Sequence, residues 1–382
     1  MKTRSVMLGD IADTCLGKML DQRKNKGDYQ PYLANVNVRW GSFDLDNLPQ
    51  MRFLKSEEER YGLQYGDILI CEGGEPGRCA IWKDQIPGMK FQKALHRVRV
   101  HEVDVDFRWL FYRFLYARYR GEFDQYFSGT TTIKHMPGEK LVKIRIDLPE
   151  KYYQSKIADI LSSYDDLIEN NQKQIKLLEE AAQRLYKEWF VDLRFPGYEE
   201  TPIVDGVPAG WEKLPIGELI EKIPRTTQIM TSEYEKEGLI PIIDQSREFI
   251  AGYTNNQSSL VNVGKPVIVF GDHTRILKYI QFPFAKGADG TQLIVSNKER
   301  MPQSLFYCSL IGVDLSNYHY ARHFKYLKAE EIFVPTQEIA DTFDSFASPL
   351  FSKVQRLRDI VINAANARDR LLPKLMSGEI EV

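Results

Sequence analysis

The fold is decided by residues 157–189, which read IADILSSYDDLIENNQKQIKLLEEAAQRLYKEW. Apolar residues recur in this stretch at steps of three and four, the heptad pattern of a coiled-coil helix. The resulting stripe comprises Leu161, Tyr164, Ile168, Asn171, Ile175, Leu178, Ala182, Leu185 and Trp189. A helix with one apolar face needs a partner for that face. The region therefore predicts a long helix that pairs with a second helix.

A second copy of this pattern begins 186 residues later, in 343–375, which reads FDSFASPLFSKVQRLRDIVINAANARDRLLPKL. The equivalent positions include Val354, Leu357, Val361, Arg368 and Leu371. We expect the two helices to pair antiparallel as an intramolecular coiled coil, with Asn171 in the seam fixing the register. The alternative is two separate helices, each packed on its own domain. Ser348-Pro349 is typical of an N-cap followed by proline at the first helical position, and Pro373 is expected to disturb the last turns.

Each helical copy follows a globular region, and the two globular regions also repeat one another. Leu8-Gly9-Asp10-Ile11 matches Ile216-Gly217-Glu218-Leu219, and Leu148-Pro149 matches Val334-Pro335. Gly66-Asp67-Ile68-Leu69-Ile70 resembles 264–269, and Ile133-Lys134-His135-Met136 resembles Phe324-Lys325-Tyr326-Leu327. A repeat of this length predicts two equivalent structural units.

The globular regions combine short β-rich runs bounded by Gly and Pro with stretches of helical spacing such as Phe107 to Tyr119. The predicted fold class is therefore α+β (mixed α/β), with two similar globular domains, two long antiparallel helices and pseudo-two-fold repetition. The predicted segments are a first domain at 1–148, a central helix at 149–192, an ordered linker at 193–213, a second domain at 214–334 and a C-terminal helix at 335–382.

Composition narrows the class of protein. No run approaches 18 apolar residues, and the N-terminus has no apolar signal segment, so neither a membrane span nor secretion is expected. The four cysteines are scattered, which fits a reducing cytoplasm. The net charge is −2, but residues 1–148 hold 24 Lys and Arg against 20 Asp and Glu. A DNA-binding protein with so weak a charge would depend on a partner for much of its phosphate contact.

Sequence patterns of catalysis do not occur in this chain. It has no phosphate-binding loop, dinucleotide fingerprint or nucleophile elbow, and no Asn-Pro-Pro-aromatic motif of amino-methyltransferases. His319 and His323 are spaced as two ligands on one helical turn, but their neighbours do not favour a metal site. We therefore expect no catalytic residue, no cofactor and no metal in this chain.

These features resemble the specificity subunits of type I restriction–modification enzymes. The resemblance spans the full length and rests on the order and duplication of individually weak motifs. They are Leu8-Gly9-Asp10-Ile11, the strand at Gly66-Asp67-Ile68-Leu69, Leu148-Pro149 followed by Gln154 and Ile157-Ala158, the linker from Phe195-Pro196-Gly197 to Gly210-Trp211, and the tail at 371–380. One departure is that Gly264-Lys265-Pro266 lacks the Asp that follows Gly66.

The resemblance implies a cytoplasmic, non-catalytic, sequence-specific DNA-binding subunit of a hetero-oligomer. Its two target-recognition domains would each contact one half of a bipartite, asymmetric target in double-stranded DNA. The paired helices would set the half-site spacing and dock two methyltransferase (modification) subunits, which carry S-adenosylmethionine. Separate restriction (motor and nuclease) subunits would use ATP and Mg²⁺.

Base contacts are expected from polar side chains on turns. In the first domain the candidates are Asn35, Asn37, Arg39, Thr130, Thr131, Thr132, Lys134 and His135. In the second they are Arg225, Thr227, Gln228, Gln245, Arg247, His273, Thr274, Arg275, Arg322, His323 and Lys325. For each of them taken singly, an ordinary polar loop is an equally good interpretation.

Two other classes of function remain open on the sequence. One is a self-sufficient nuclease or methyltransferase with an unrecognised centre, which activity of the purified chain on DNA would reveal. The other is a coiled-coil scaffold without DNA binding. The length of the helix favours a spacer, because residues 165–190 would span roughly 39 Å, close to one turn of B-DNA.

Overall fold

The computed structural model describes residues 2–21, 25–130, 133–318 and 322–382. The chain divides into two compact units. The first contains the residues up to Glu169 together with Ile362–Val382, and the second runs from Asn170 to Val361.

The first unit is built mainly of short antiparallel strands. These are β1 Thr3–Met7, β2 Ala12–Leu16, β3 Asp28–Leu33, β4 Val38–Arg39, β5 Ser42–Phe43, β6 Gln50–Phe53, β7 Ile68–Cys71, β8 Cys79–Ile81, β9 Lys90–Phe91, β10 Leu95–Val100, β11 Ser128–Thr130, β12 Ile133–His135 and β13 Arg145–Pro149. Its helices are α1 Leu8–Ile11, α2 Glu58–Tyr61, α3 Phe107–Tyr119 and α4 Gly138–Leu141, followed by the first half of α5 Lys151–Tyr186.

A four-stranded sheet in the order β2-β10-β7-β8 forms the centre of this unit. All residues of β7 are buried, and the aromatic side chains of α3 share a core with Ile68 and Ile70 of that strand. The predicted packing helix at Phe107 to Tyr119 is confirmed. The unit also contains a second layer in the order β6-β3-β9 and the separate pairs β1–β13, β4–β5 and β11–β12.

The second unit repeats this plan. Its strands are β14 Ile203–Val204, β15 Val207–Pro208, β16 Glu212–Pro215, β17 Ile240–Ile243, β18 Gly252–Thr254, β19 Leu260–Val261, β20 Val267–Gly271, β21 Leu277–Ile280, β22 Phe284–Lys286, β23 Thr291–Ile294 and β24 Glu331–Val334. Its helices are α6 Gln303–Ile311 and α7 Phe324–Ala329, and α8 Gln337–Ser377 begins here. Strand β20 lies between β21 and β23, as β7 lies between β8 and β10, and β16 pairs with β24 as β1 pairs with β13.

The repeated Leu-Gly-Asp-Ile motif has a packing reason in both units. A Cβ added to Gly9 would lie 3.2 Å from Val142 Cβ, and one added to Gly217 would lie 3.1 Å from the Lys328 carbonyl oxygen. Each glycine thus lets its turn approach the segment that leads into the last strand of its unit.

Helices α5 and α8 pack together, and the contacts within each unit run antiparallel. In the first unit Ile157 and Leu161 share a core with Leu372 and Leu375. In the second, Tyr186 and Trp189 pack against Phe343. The predicted pairing is therefore confirmed. Of the predicted seam, Leu161, Asn171, Val354 and Leu357 are buried, and Ile168, Ile175, Leu178, Leu185, Val361 and Leu371 are half-buried.

The structure corrects three predictions about local elements. Helix α8 begins at Gln337, so Ser348 is not its N-cap. The Thr336 carbonyl accepts from Ala340 N at 3.0 Å in the first turn instead. Pro373 does not end the helix, which continues to Ser377 because Leu372 and Leu375 are anchored in the core. The proposed equivalence of Ile133–Met136 with Phe324–Leu327 is wrong, since β12 is a strand and α7 a helix.

The linker at 193–213 is ordered, as the sequence predicts. Phe195 and Trp211 are both buried, with ring centroids 4.7 Å apart, and β14 and β15 form a hairpin between them.

Candidate nucleic-acid interface

In the first unit the interface candidates gather at one edge of the central sheet, the one where strand β7 ends and β8 begins. The turn Glu72–Gly77 connects β7 to β8 at this edge. Gly74 and Gly77 have φ angles of 77° and 89°, a left-handed conformation that glycine adopts without strain. The turn therefore projects beyond the sheet in a fixed shape.

Glu75 anchors the tip of this turn through basic and aromatic side chains. Its carboxylate accepts from Trp40 Nε1 at 2.7 Å and from Arg78 NH1 at 3.2 Å. Arg118 lies 3.3 Å from the same carboxylate and stacks its guanidinium 4.5 Å from the centroid of the Trp40 ring. Glu75 thus ties Trp40, Arg78 and Arg118 to the tip of the turn.

The segment around Asn35 lies against this turn. The Asn35 carbonyl accepts from Arg78 NH2 at 2.9 Å. Asn37 is buried, and its amide is bonded to Ala34 N and to the Asp44 carbonyl, so this side chain holds its own loop. Arg39 is half exposed and bonds the Val36 carbonyl at 2.5 Å.

The hairpin β11–β12 reaches the other side of the same turn. His135 forms a β-bridge with Gly73, and Met136 N donates to the Glu72 carbonyl at 2.7 Å. Beneath it lies His96, with Nε2 3.1 Å from the Met136 carbonyl oxygen; burial lowers the pKa of this imidazole. Lys134 and His135 are exposed. Thr130 ends β11, whereas Thr131 and Thr132 lie outside the described residues.

The corresponding turn in the second unit connects β20 to β21 and carries His273, Thr274 and Arg275. Gln245 fixes this turn. Its Oε1 accepts from His273 N at 3.0 Å, its Nε2 donates to the Asp289 carbonyl, and its own carbonyl accepts from Thr274 Oγ1 at 2.7 Å. The side chains of His273 and Arg275 remain exposed.

The segment before α7 adds to the same edge. Buried His323 has Nδ1 2.9 Å from the Asp272 carbonyl oxygen and Nε2 3.1 Å from that of Tyr318. Arg275 NH2 donates to the Tyr318 carbonyl at 3.1 Å. His323 thus positions this segment, while its neighbours Arg322 and Lys325 are exposed.

The remaining candidates of the second unit are less closely joined to the turn. Arg247 is exposed two residues beyond Gln245. Gln228 Nε2 donates to the Gly287 carbonyl at 3.1 Å, and Thr227 bonds Ser258 on a neighbouring loop. Arg225 is exposed on the same strand-free segment as Thr227.

The residues that sequence reasoning missed are those beneath the first turn. Trp40, Glu75 and Arg118 come from three separate segments, so no local pattern links them. The only signal was the glycine-rich turn itself.

Two general properties of the structure bear on other kinds of function. The described residues contain no group of three or more His, Cys, Asp or Glu side chains arranged to hold a metal ion. Over the same part of the chain, no helix combines the length and the apolar character that crossing a membrane requires.

Comparison with known proteins finds similarity to type I specificity subunits. The sequence model described as "Type I restriction modification DNA specificity domain" matches residues 2–180. The type I restriction enzyme MjaIX specificity subunit of Methanocaldococcus jannaschii is 27% identical over 281 residues, 67% of this chain and 65% of that protein. The EcoR124I/EcoR124II specificity subunit of Escherichia coli is 30% identical over 96 residues, 25% of this chain and 23% of that protein. Residues 2–180, a little under half of the chain, thus match the DNA specificity domain of type I restriction–modification systems.

A solved structure extends the likeness in fold to both units of this chain. The crystal structure of a type I restriction–modification system S subunit from M. genitalium has a TM-score of 0.60 at 16% identity, and the match covers 98% of this chain and 96% of that one. The fold is therefore that of the family. The match to MjaIX spans about two thirds of the length of that relative, at 65%.

Proposed function

We propose that this chain is the DNA specificity subunit of a type I restriction–modification complex, in which each unit contacts one half of a bipartite, asymmetric target. Helices α5 and α8 set the gap between the half-sites and dock two methyltransferase subunits. The proposal rests on one observation above others, which is that both units present a fixed polar turn at the same edge of equivalent sheets.

The chemistry of the two turns supports direct base contact. Arg and His donors of this kind hydrogen-bond base edges in the major groove. In the second unit the exposed side chains of His273 and Arg275 project from a turn whose backbone Gln245 holds. In the first unit the exposed donors are Arg39, Lys134 and His135. Different side chains on or beside equivalent turns would give a target with two different halves.

Asn37, Gln245, Thr274 and His323 act in this proposal through other residues. Each of these side chains is hydrogen-bonded within its own loop region. We assign them to positioning the turns rather than to contact with bases.

Catalysis belongs to the partners in this proposal. The methyltransferase subunits bind S-adenosylmethionine and transfer the methyl group, and the restriction subunits use ATP and Mg²⁺. The specificity chain brings them to a chosen sequence and itself performs no chemical step.

The test is to change one turn and sequence the methylated sites. Arg275→Ala and His273→Ala, each co-expressed with the methyltransferase subunits, should relax the preference at a few base pairs of one half-site. Loss of a bidentate base contact costs about 1–3 kcal/mol of discrimination. Arg39→Ala should relax the other half-site only.

Lys222→Ala is the matched control in the second unit. Lys222 is exposed and follows Glu221, which pairs with Lys265 at the opposite end of β20. It should leave the methylated sequence unchanged. A methylation pattern that stays the same in every turn variant, or that changes in both halves at once, would contradict the proposal.

A further inference from the structure

A pocket with a volume of about 290 Å³ opens beside the first unit's turn and has no role in the base contacts proposed above. We call it the edge pocket. It is lined by Leu16, Gly17, Lys18, Met19, Lys26, Leu54, Glu57, Arg60, Tyr61 and Lys93.

The charges around the edge pocket are strongly one-sided. Lys18 is buried and satisfied, because its Nζ donates to Glu57 at 2.6 Å and to the Arg52 carbonyl at 2.8 Å. Glu57 is the only carboxylate among the lining residues. Lys26, Arg60 and Lys93 line the same pocket, and within the described part of the chain none of them forms an ion pair. The lining residues thus place four cations against one carboxylate, an excess of three positive charges around one concave site.

Strand pairing places the edge pocket at the same sheet edge as the turn Glu72–Gly77. Strand β2 ends at Leu16, paired with His96, and Gly17 N donates to the Leu95 carbonyl at 3.0 Å. Glu72 N donates to the Ala94 carbonyl at 2.9 Å, so Lys93 lies one residue from the start of the turn. The pocket is therefore near β2 and β10, and the turn continues from β7.

This placement matches the dimensions of DNA. Adjacent strands are about 4.8 Å apart, so β2 and β7, two spacings apart, are separated by roughly 10 Å. The major groove is about 12 Å wide. A turn inserted in the groove would therefore leave the edge pocket facing the phosphate backbone at the groove's wall.

We propose that the edge pocket binds a backbone phosphate of the DNA half-site read by the first unit. Lys26, Arg60 and Lys93 hold the phosphate oxygens, and the apolar walls at Met19 and Leu54, both more than two-fifths exposed, contact the adjoining deoxyribose. A phosphate contact fixes the register of the protein on the duplex without reading sequence. The inference rests on the proposed function and adds to it the group that positions the first turn.

The test measures how DNA affinity depends on salt, with the complex of the full chain and its methyltransferase subunits. Each phosphate that a protein neutralises contributes about −0.9 to the slope of log K against log salt. Lys93→Gln and Arg60→Gln should each weaken binding roughly tenfold or more. The double variant should lower the magnitude of the slope by about one in total, not two, because both residues hold the same phosphate. The methylated sequence should not change.

The control is Lys2→Gln, which removes an exposed lysine next to β1, near Arg4 and Asp104 beyond the far end of β10. It should leave affinity and slope unchanged. Urea unfolding of each variant shows whether it is folded, and the three pocket residues provide independent variants if one is not.

Three results would overturn the inference while leaving the proposed function intact. One is an unchanged slope in all pocket variants. The second is an altered base preference, which would mean that the pocket contacts bases. The third is a pocket that binds inorganic phosphate but not DNA. Phosphate would then shift NMR signals of the wild-type protein and not those of Lys93→Gln, while the pocket variants would bind DNA as tightly as the wild type. A wild-type complex that binds no DNA sequence selectively would instead contradict the proposed function itself.

Discussion

Asp165 joins three elements of the first unit at a single carboxylate. Its Oδ2 accepts from Tyr112 Oη at 2.5 Å and its Oδ1 from Arg368 NH1 at 2.5 Å. Tyr112 lies on α3, and Arg368 occupies a position of α8 where the heptad pattern expects an apolar residue. Burial and the Asp165 carboxylate both raise the pKa of Tyr112, so the phenol stays protonated as a donor. The carboxylate thus ties the helix pair to the helix that packs on the central sheet of the first unit.

Arg368→Met tests this connection. The substitution keeps the length and apolar stem of the side chain but leaves Asp165, whose side chain is 27% exposed, without its cation. Hydrogen bonds to charged groups contribute about 1.5–3 kcal/mol, and we expect a loss of about 1–3 kcal/mol in the free energy of unfolding. The midpoint of urea denaturation measures it.

Arg370→Met serves as the control, because Arg370 is exposed on the same helix and such surface changes stay within about 0.5 kcal/mol. Asp165→Asn combined with Arg368→Met should cost less than the sum of the single changes, since neither charge is then left unpaired. Strict additivity, or equal midpoints for Arg368→Met and Arg370→Met, would mean that the pair contributes nothing.

Single residues of the interface could be predicted by type but not by role. The polar residues chosen from the sequence remain candidates for base contact, and the structure brings Asn35 and His135, a hundred residues apart, to opposite sides of one turn. Sequence does not show which of these side chains are already hydrogen-bonded within the protein. That is why Asn37 and His323 looked like free donors when both are buried.

Helix α8 contains two prolines, and both lie within it rather than at its ends. Proline lacks the N–H that would bond the carbonyl four residues earlier and clashes with that carbonyl, at a cost of about 3 kcal/mol in a helix interior. The helix persists because its face is held by tertiary packing, with Phe351, Leu372 and Leu375 all buried. Pro349 and Pro373 themselves are exposed.

Replacing either exposed proline by alanine should therefore stabilise the protein. Pro349→Ala restores the bond to the Ser345 carbonyl, and we expect a gain of about 1–3 kcal/mol in the free energy of unfolding. Pro335→Ala, before the start of α8, is the comparison and should give no such gain. A lower urea midpoint for Pro349→Ala would show that a bend at this proline is needed for packing.

At the level of elements, long-range periodicity predicted more than local signals did. The heptad stripe identified both long helices, because their burial imposes a period over many turns. The start of α8 was wrongly predicted at Ser348, because the Ser-Pro signal weighs only neighbouring residues. The predicted equivalence of β12 and α7 was wrong for the same reason, because four similar residues do not distinguish a short strand from a short helix.

At the level of the whole chain, the internal repeat was the most informative feature. It predicted two equivalent units, and the structure confirms equivalent sheets centred on β7 and β20. The basic edge pocket could not be predicted, because its lining residues are brought together from segments between Leu16 and Lys93 by strand pairing. Such sites depend on register, which a single sequence leaves unspecified.

If the helix pair sets the gap between half-sites, its length should control that gap. Inserting one heptad after Glu169 in α5 and one after Val361 in α8 lengthens each helix by about 10.5 Å and keeps the apolar stripe in phase. At about 3.4 Å per base pair, the gap in the methylated sequence should grow by about three base pairs, while both half-site sequences stay the same. Sequencing of methylated adenines in cellular DNA measures this.

The matched control inserts the same two heptads, fourteen residues in all, in the exposed turn at Asp205-Gly206, between β14 and β15. This lengthens the chain without lengthening either helix, so the gap should remain that of the wild type. An active double-heptad variant that methylates at the original gap would separate the helices from spacing and leave them only the docking role. A change in the bases of either half-site would instead mean that the insertion had disturbed the units themselves, because each turn is held by contacts within its own unit.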